Sequence, residues 1–147
     1  MKHPLLLTAL LLSVSPSLAK DLLYLKCDET RAMTSISTYD DGEQFTLENN
    51  DEEIFVLRID TKNEKMLMNK SEVDIDVKDN EAIYSDIFDN GRIKDTNIVH
   101  TTLSPPYARY GKGKTVTKEP FPQVIDVAIK ADCTKIDPAE FDEFLNQ

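Results

Sequence analysis

Glu72-Val73-Asp74-Ile75-Asp76-Val77-Lys78 alternates strictly between charged and apolar residues, and that alternation decides the fold class. Successive side chains on a strand point to opposite faces, so Val73, Ile75 and Val77 share one face and the four charged residues the other. One buried face and one wet face mark an antiparallel sheet. The same period recurs elsewhere. Leu23, Leu25 and Cys27 share a face in residues 22–28, and Phe55, Leu57 and Ile59 do so in residues 54–60. Ile125, Val127, Ile129 and Ala131 repeat it just before Cys133.

The connectors agree with this reading. Asp89-Asn90-Gly91 predicts a hairpin turn between strands 82–88 and 92–103, because Asn and Gly tolerate the positive φ such turns need. Thr61-Lys62-Asn63-Glu64 and Lys78-Asp79-Asn80-Glu81 are weaker turns of similar placement. Short strands in series predict an all-β antiparallel meander that closes into a small barrel or sandwich. Near the C-terminus, Asp137-Pro138-Ala139-Glu140 combines an N-cap carboxylate, proline at the first helical position and glutamate at the third. Phe141, Phe144 and Leu145 follow at helical spacing, so one short helix should lay its apolar face on the barrel edge or across one open end.

Residues 1–19 read as a cleavable signal peptide. Lys2 supplies the positive start, residues 5–14 an apolar run too short to span a bilayer, and Ser17-Leu18-Ala19 a small-residue cleavage site. The expected working protein is then a single β-rich domain, 20–147, exported to the periplasm or beyond. Tyr24-Leu25-Lys26 before Cys27 lacks the small residues of a lipoprotein processing site, and no later segment approaches membrane-spanning length. In an oxidising compartment Cys27 and Cys133, the only cysteines, are expected to pair; two separate buried thiols are the alternative. Closure of the meander would bring the first and last strands together, as that bond requires.

Composition narrows the partners. The whole chain carries a formal net charge of −10, and the first nineteen residues hold one Lys and no Asp or Glu, so their loss leaves −11. Such a body repels nucleic-acid phosphates and anionic lipid surfaces, so no nucleic acid and no integral membrane association are expected. Acidity also serves solubility.

Catalytic constellations are missing. His100 is the only histidine after residue 19 and sits in a strand-like run, no GxSxG elbow surrounds a serine, and paired cysteines leave no thiol nucleophile. Gly113-Lys114-Thr115 imitates the end of a phosphate-binding loop, but Ala108 stands where the motif needs its first glycine. Asp40-Asp41-Gly42-Glu43 and residues 74–79 offer oxygen ligands for calcium without EF-hand spacing, Lys78 occupying a ligand position. No enzyme, metal or cofactor is expected. A carboxylate hydrolase would need two converging acids that the sequence does not single out.

Two segments break the strand pattern. Residues 39–53 carry seven acidic residues and no Lys or Arg. Residues 104–123 hold four prolines and two glycines, with Arg109, Lys112, Lys114 and Lys118 against Glu119 alone. Long loops tend to persist for binding, and Tyr and Arg give contact area and directional hydrogen bonds. This basic proline-rich loop, with Tyr107, Arg109, Tyr110, Lys112 and Lys114, is therefore the expected binding site for an unknown protein or cell-envelope component. A plain long hairpin whose lysines keep an edge soluble is the alternative.

The layout resembles small exported bacterial β-proteins of uncharacterised families, in which an early strand ends in cysteine (Leu23-Tyr24-Leu25-Lys26-Cys27) and a second follows near the end (Ala131-Asp132-Cys133-Thr134-Lys135). That resemblance implies a fold type and a compartment. A second likeness is to periplasmic lysozyme inhibitors, also small disulfide-bonded barrels, whose cationic target an acidic body would suit. The basic segment departs from that charge picture. A lipocalin-like barrel holding a small apolar ligand is the other expectation.

Overall fold

The computed structural model describes residues 21–147, so residues 1–19, expected to be a signal peptide, lie outside the described residues. Nine strands and one helix follow in chain order: β1 (Leu22–Thr38), β2 (Gln44–Asp60), β3 (Lys65–Met68), β4 (Ser71–Asp74), β5 (Asp76–Lys78), β6 (Glu81–Asp89), β7 (Ile93–Thr102), β8 (Ala108–Thr117), β9 (Gln123–Lys135) and α1 (Pro138–Leu145). All pairings are antiparallel, in the order β4-β3-β2-β1-β9-β8-β7-β6-β5.

The sequence 72–78 explains why this sheet curls round on itself. β4 and β5 are two halves of that one run, interrupted only at Ile75, whose amide donates to the Glu64 carbonyl at 3.0 Å. The first half pairs with β3 and the second with β6, so one segment lies at both edges of the sheet. The result is a nearly closed barrel. With β4 and β5 counted as one wall it has eight, a size whose interior side chains just fill.

Leu25, Phe55, Leu57, Ile59, Met66, Ile75, Ala82 and Ala131 fill it, all members of the alternating faces that turn inward. Cys27 and Cys133 lie directly opposite each other on β1 and β9 and form a disulfide within this core. The turns obey local chemistry: Asp79 and Asn80 both take positive φ between β5 and β6, and Gly91 takes φ 84° between β6 and β7. Asp137 caps α1 by accepting from the Glu140 amide at 2.8 Å. The helix packs on the outer wall, with Phe141 against Tyr24 at 5.3 Å between ring centroids and Lys26 over Phe144. Among the described residues no helix is long and apolar enough to cross a membrane.

Closure is confined to one end. β1 and β2 are 17 residues each, beyond the usual strand length, whereas β3 covers β2 only over 57–60 and β5 covers β6 only over 81–83. The rest of β2 and β6 has a single sheet neighbour, and six strands overhang the packed end as an open sheet.

Two expectations need correction here. Residues 104–123 are not one long loop, because Ala108–Thr117 is a central strand paired along its length with β7 and β9. Its two glycines and three basic residues hide the alternation. The acidic stretch 39–53 likewise contains a tight turn and then the first ten residues of β2.

Gly111 marks how closely β8 lies against β7. A Cβ there would collide with the Ile98 carbonyl oxygen and come within 2.8 Å of Val99 Cα, both backbone atoms. At Gly113 the obstacle is the tip of the Asn97 side chain, which can rotate away. Gly111→Ala is therefore expected to cost about 1–3 kcal/mol in urea unfolding, and Gly113→Ala to fall well below it. Equal costs would show that β8 does not pack this tightly.

Candidate functional site

Once 108–117 is a strand, its residues must divide between two faces. Arg109 points into the barrel, while Tyr110, Lys112 and Lys114 point outward. Tyr107 precedes the strand and packs partly buried against the core. The five residues expected to act together therefore occupy two environments, and only three of them share an open surface.

Arg109 is 4 % exposed and donates from Nη1 to Glu29 at 2.8 Å; Glu29 is 1 % exposed. Arg31 donates to the other Glu29 oxygen at 2.6 Å and reaches Glu53 at 3.0 Å. The Arg109 guanidinium also lies over the Phe55 ring, 5.1 Å from its centroid. Burial lowers its pKa from the ordinary value, and the Glu29 carboxylate opposes that shift. Its Nε has no partner among the described residues. This is a structural ion pair at the boundary between packed barrel and overhang, too enclosed to greet a partner from solution.

The outward face is a regular grid because the strands run in register without bulges. Across β1, β9, β8, β7 and β6, Ala32, Ala128, Lys112, Ile98 and Ser85 stand directly opposite one another. The next row is Thr34, Asp126, Lys114, Thr96 and Ile87. These ten residues line a groove of about 700 Å³, so the outer face of the overhang is concave. Volumes of this order are typical of small-molecule sites. Small side chains form most of the floor, and two lysines rise from its central strand.

One row further toward the barrel, Tyr110 stacks on His100 with ring centroids 5.1 Å apart. The Tyr110 hydroxyl donates to Glu81, and His100 Nδ1 lies 2.9 Å from the other Glu81 oxygen. Those two contacts, Tyr110 first, hold the Glu81 carboxyl below the usual carboxylate range, and the Tyr110 phenol is raised in return. A hollow lined by Ile98, His100, Tyr110 and Lys112 continues the groove at this end. Sequence reasoning passes over Ala32, Thr34, Ile87, Ile98, Asp126 and Ala128. Only pairing brings them together, from four strands spread over almost a hundred residues.

Lys114 is engaged with Asp126 at 3.5 Å, whereas Lys112 has no salt bridge among the described residues. Lys94 and Lys130 occupy outward positions on β7 and β9 beside these rows, opposite Val116 and Tyr110. These lysines share the outward face with Asp126, with Asp89 opposite Lys94 and with Glu48 opposite Thr34, so its charges are mixed on a chain of net charge −10. No family model, curated protein or solved structure matches the chain.

Proposed function

We propose that this is an exported, non-enzymatic binding protein that holds its partner in the outer-face groove around β8. The observation that carries the reading is the groove itself: ten outward residues of five adjacent strands, with Lys112 and Lys114 at its centre. It keeps Tyr110, Lys112 and Lys114 as binding residues and assigns Arg109 to the fold instead. Export is supported by the sequence of residues 1–19 and by the Cys27–Cys133 disulfide, which is compatible with an oxidising compartment. A ligand held inside the barrel is disfavoured, because Leu25, Phe55, Leu57, Ile59 and Met66 already fill the closed end.

A photo-crosslinking residue tests the face. Placed at position 112 in the protein expressed in its own cells, it is expected to trap an adduct detectable by mass spectrometry. The same residue at position 142, exposed on α1, is expected to trap none. Adducts at both positions alike, or at neither, would overturn the assignment.

A further inference from the structure

From the chemistry of the groove we infer that its occupant is a free fatty acid, held by its carboxylate at Lys112 with its chain along Ile98 and Ile87. This rests on the binding face proposed above and names what that face takes. Ile87 is 72 % exposed, the highest value among the large apolar residues described, and it forms a groove wall together with Ile98. Leaving such a side chain in water forfeits the roughly 1.5–3 kcal/mol that full burial would return. Ala32 and Ala128 add apolar floor without side chains tall enough to cover it.

Charge selects the head group. Lys114 is already answered by Asp126, so one cation, Lys112, is free to meet an anion in the groove. A single free ammonium suits one carboxylate, through a charge-assisted hydrogen bond. Lys94 and Lys130 lie on the same face but outside the groove lining, so a polyanion would not find several free cations within it. A glycan would need aromatic platforms, and no aromatic side chain lines this groove. From Lys112 on β8 to Ile87 on β6 is two strand spacings, about 10 Å, which a medium-length acyl chain can follow.

Dodecanoate is the probe, measured by isothermal titration against the disulfide-bonded protein from residue 20 onward. Its methyl ester removes the charge, and acetate removes the chain. Dodecanoate is expected to bind at one site, and both comparison compounds at least tenfold more weakly. Lys112→Gln should weaken dodecanoate about tenfold, and Ile87→Ser, on the far wall, severalfold; both positions are exposed, so circular dichroism should be unchanged. Absence of dodecanoate binding, equal binding of the ester, or indifference to both substitutions would overturn the fatty-acid assignment. If position 112 still traps an adduct in cells while dodecanoate fails, the binding face stands and its ligand is of another class. If both fail, the binding face falls as well.

Discussion

Glu29→Ala is expected to destabilise the protein by about 3–5 kcal/mol, read as a fall in the urea midpoint with little change in slope. Glu29 is 1 % exposed and accepts from both Arg109 and Arg31 inside the barrel. Removing it leaves the Arg109 guanidinium, itself 4 % exposed, buried beside Met68 and Phe55 with no compensating anion. The cost is that uncompensated charge, and a partial entry of water would moderate it. Two further variants separate this cause from lost volume. Arg109→Ala should fall in the same range, since it strands the Glu29 carboxylate. The double variant Glu29→Leu/Arg109→Met removes both charges and keeps apolar bulk, so it should cost much less than the sum of the two single changes. Additive losses would show that the two side chains do not act as a pair.

Removal of the disulfide should have a comparable effect through a different state of the chain. Cys27 and Cys133 are separated by 106 residues and join the first and last strands of the barrel. A cross-link closing a loop of about a hundred residues restricts the unfolded ensemble by about 4.7 kcal/mol in the chain-entropy treatment. Both side chains sit in the core, so Cys27→Ala/Cys133→Ala also loses some packing there. The double variant is expected to lose about 3–5 kcal/mol, seen as a large drop in thermal midpoint. Reduction of the wild-type protein with dithiothreitol under mild denaturant should reproduce most of that loss. A loss below about 1 kcal/mol would mean that the β1–β9 ladder, with its thirteen paired positions, already holds the ends together in the unfolded chain.

The inward faces of β1, β2, β9 and the run 72–78 are legible from residue order alone. Leu25, Phe55, Ile75 and Ala131 lie in short runs where polar and apolar residues alternate cleanly, and they do turn inward. Asp137 and Pro138 mark the helix start, and Asn90-Gly91 the hairpin, because capping and positive φ are local requirements. β8 is illegible for an equally physical reason. Its inward residues include Arg109, Gly111 and Gly113, so no apolar alternation announces a strand. An arginine faces the core there only because Glu29 waits inside, 80 residues earlier in the chain. Reading the segment as a loop also groups Arg109 with Tyr110, although one residue's step on a strand places them on opposite faces.

What the sequence alone determined, then, was local: period-two faces, turn positions, the helix cap and two cysteines placed to join the ends. Tertiary structure decided everything that depends on partners far apart in the chain. It assigned residues 72–78 to both edges of the sheet, put Arg109 inside with Glu29, and assembled Lys112 and Lys114 with Ala32, Ile87 and Ala128 in one groove. The physical reason is the same throughout. A strand's sequence specifies which residues share a face, whereas the face that meets core, and the neighbours that complete a site, are set by pairings between distant strands.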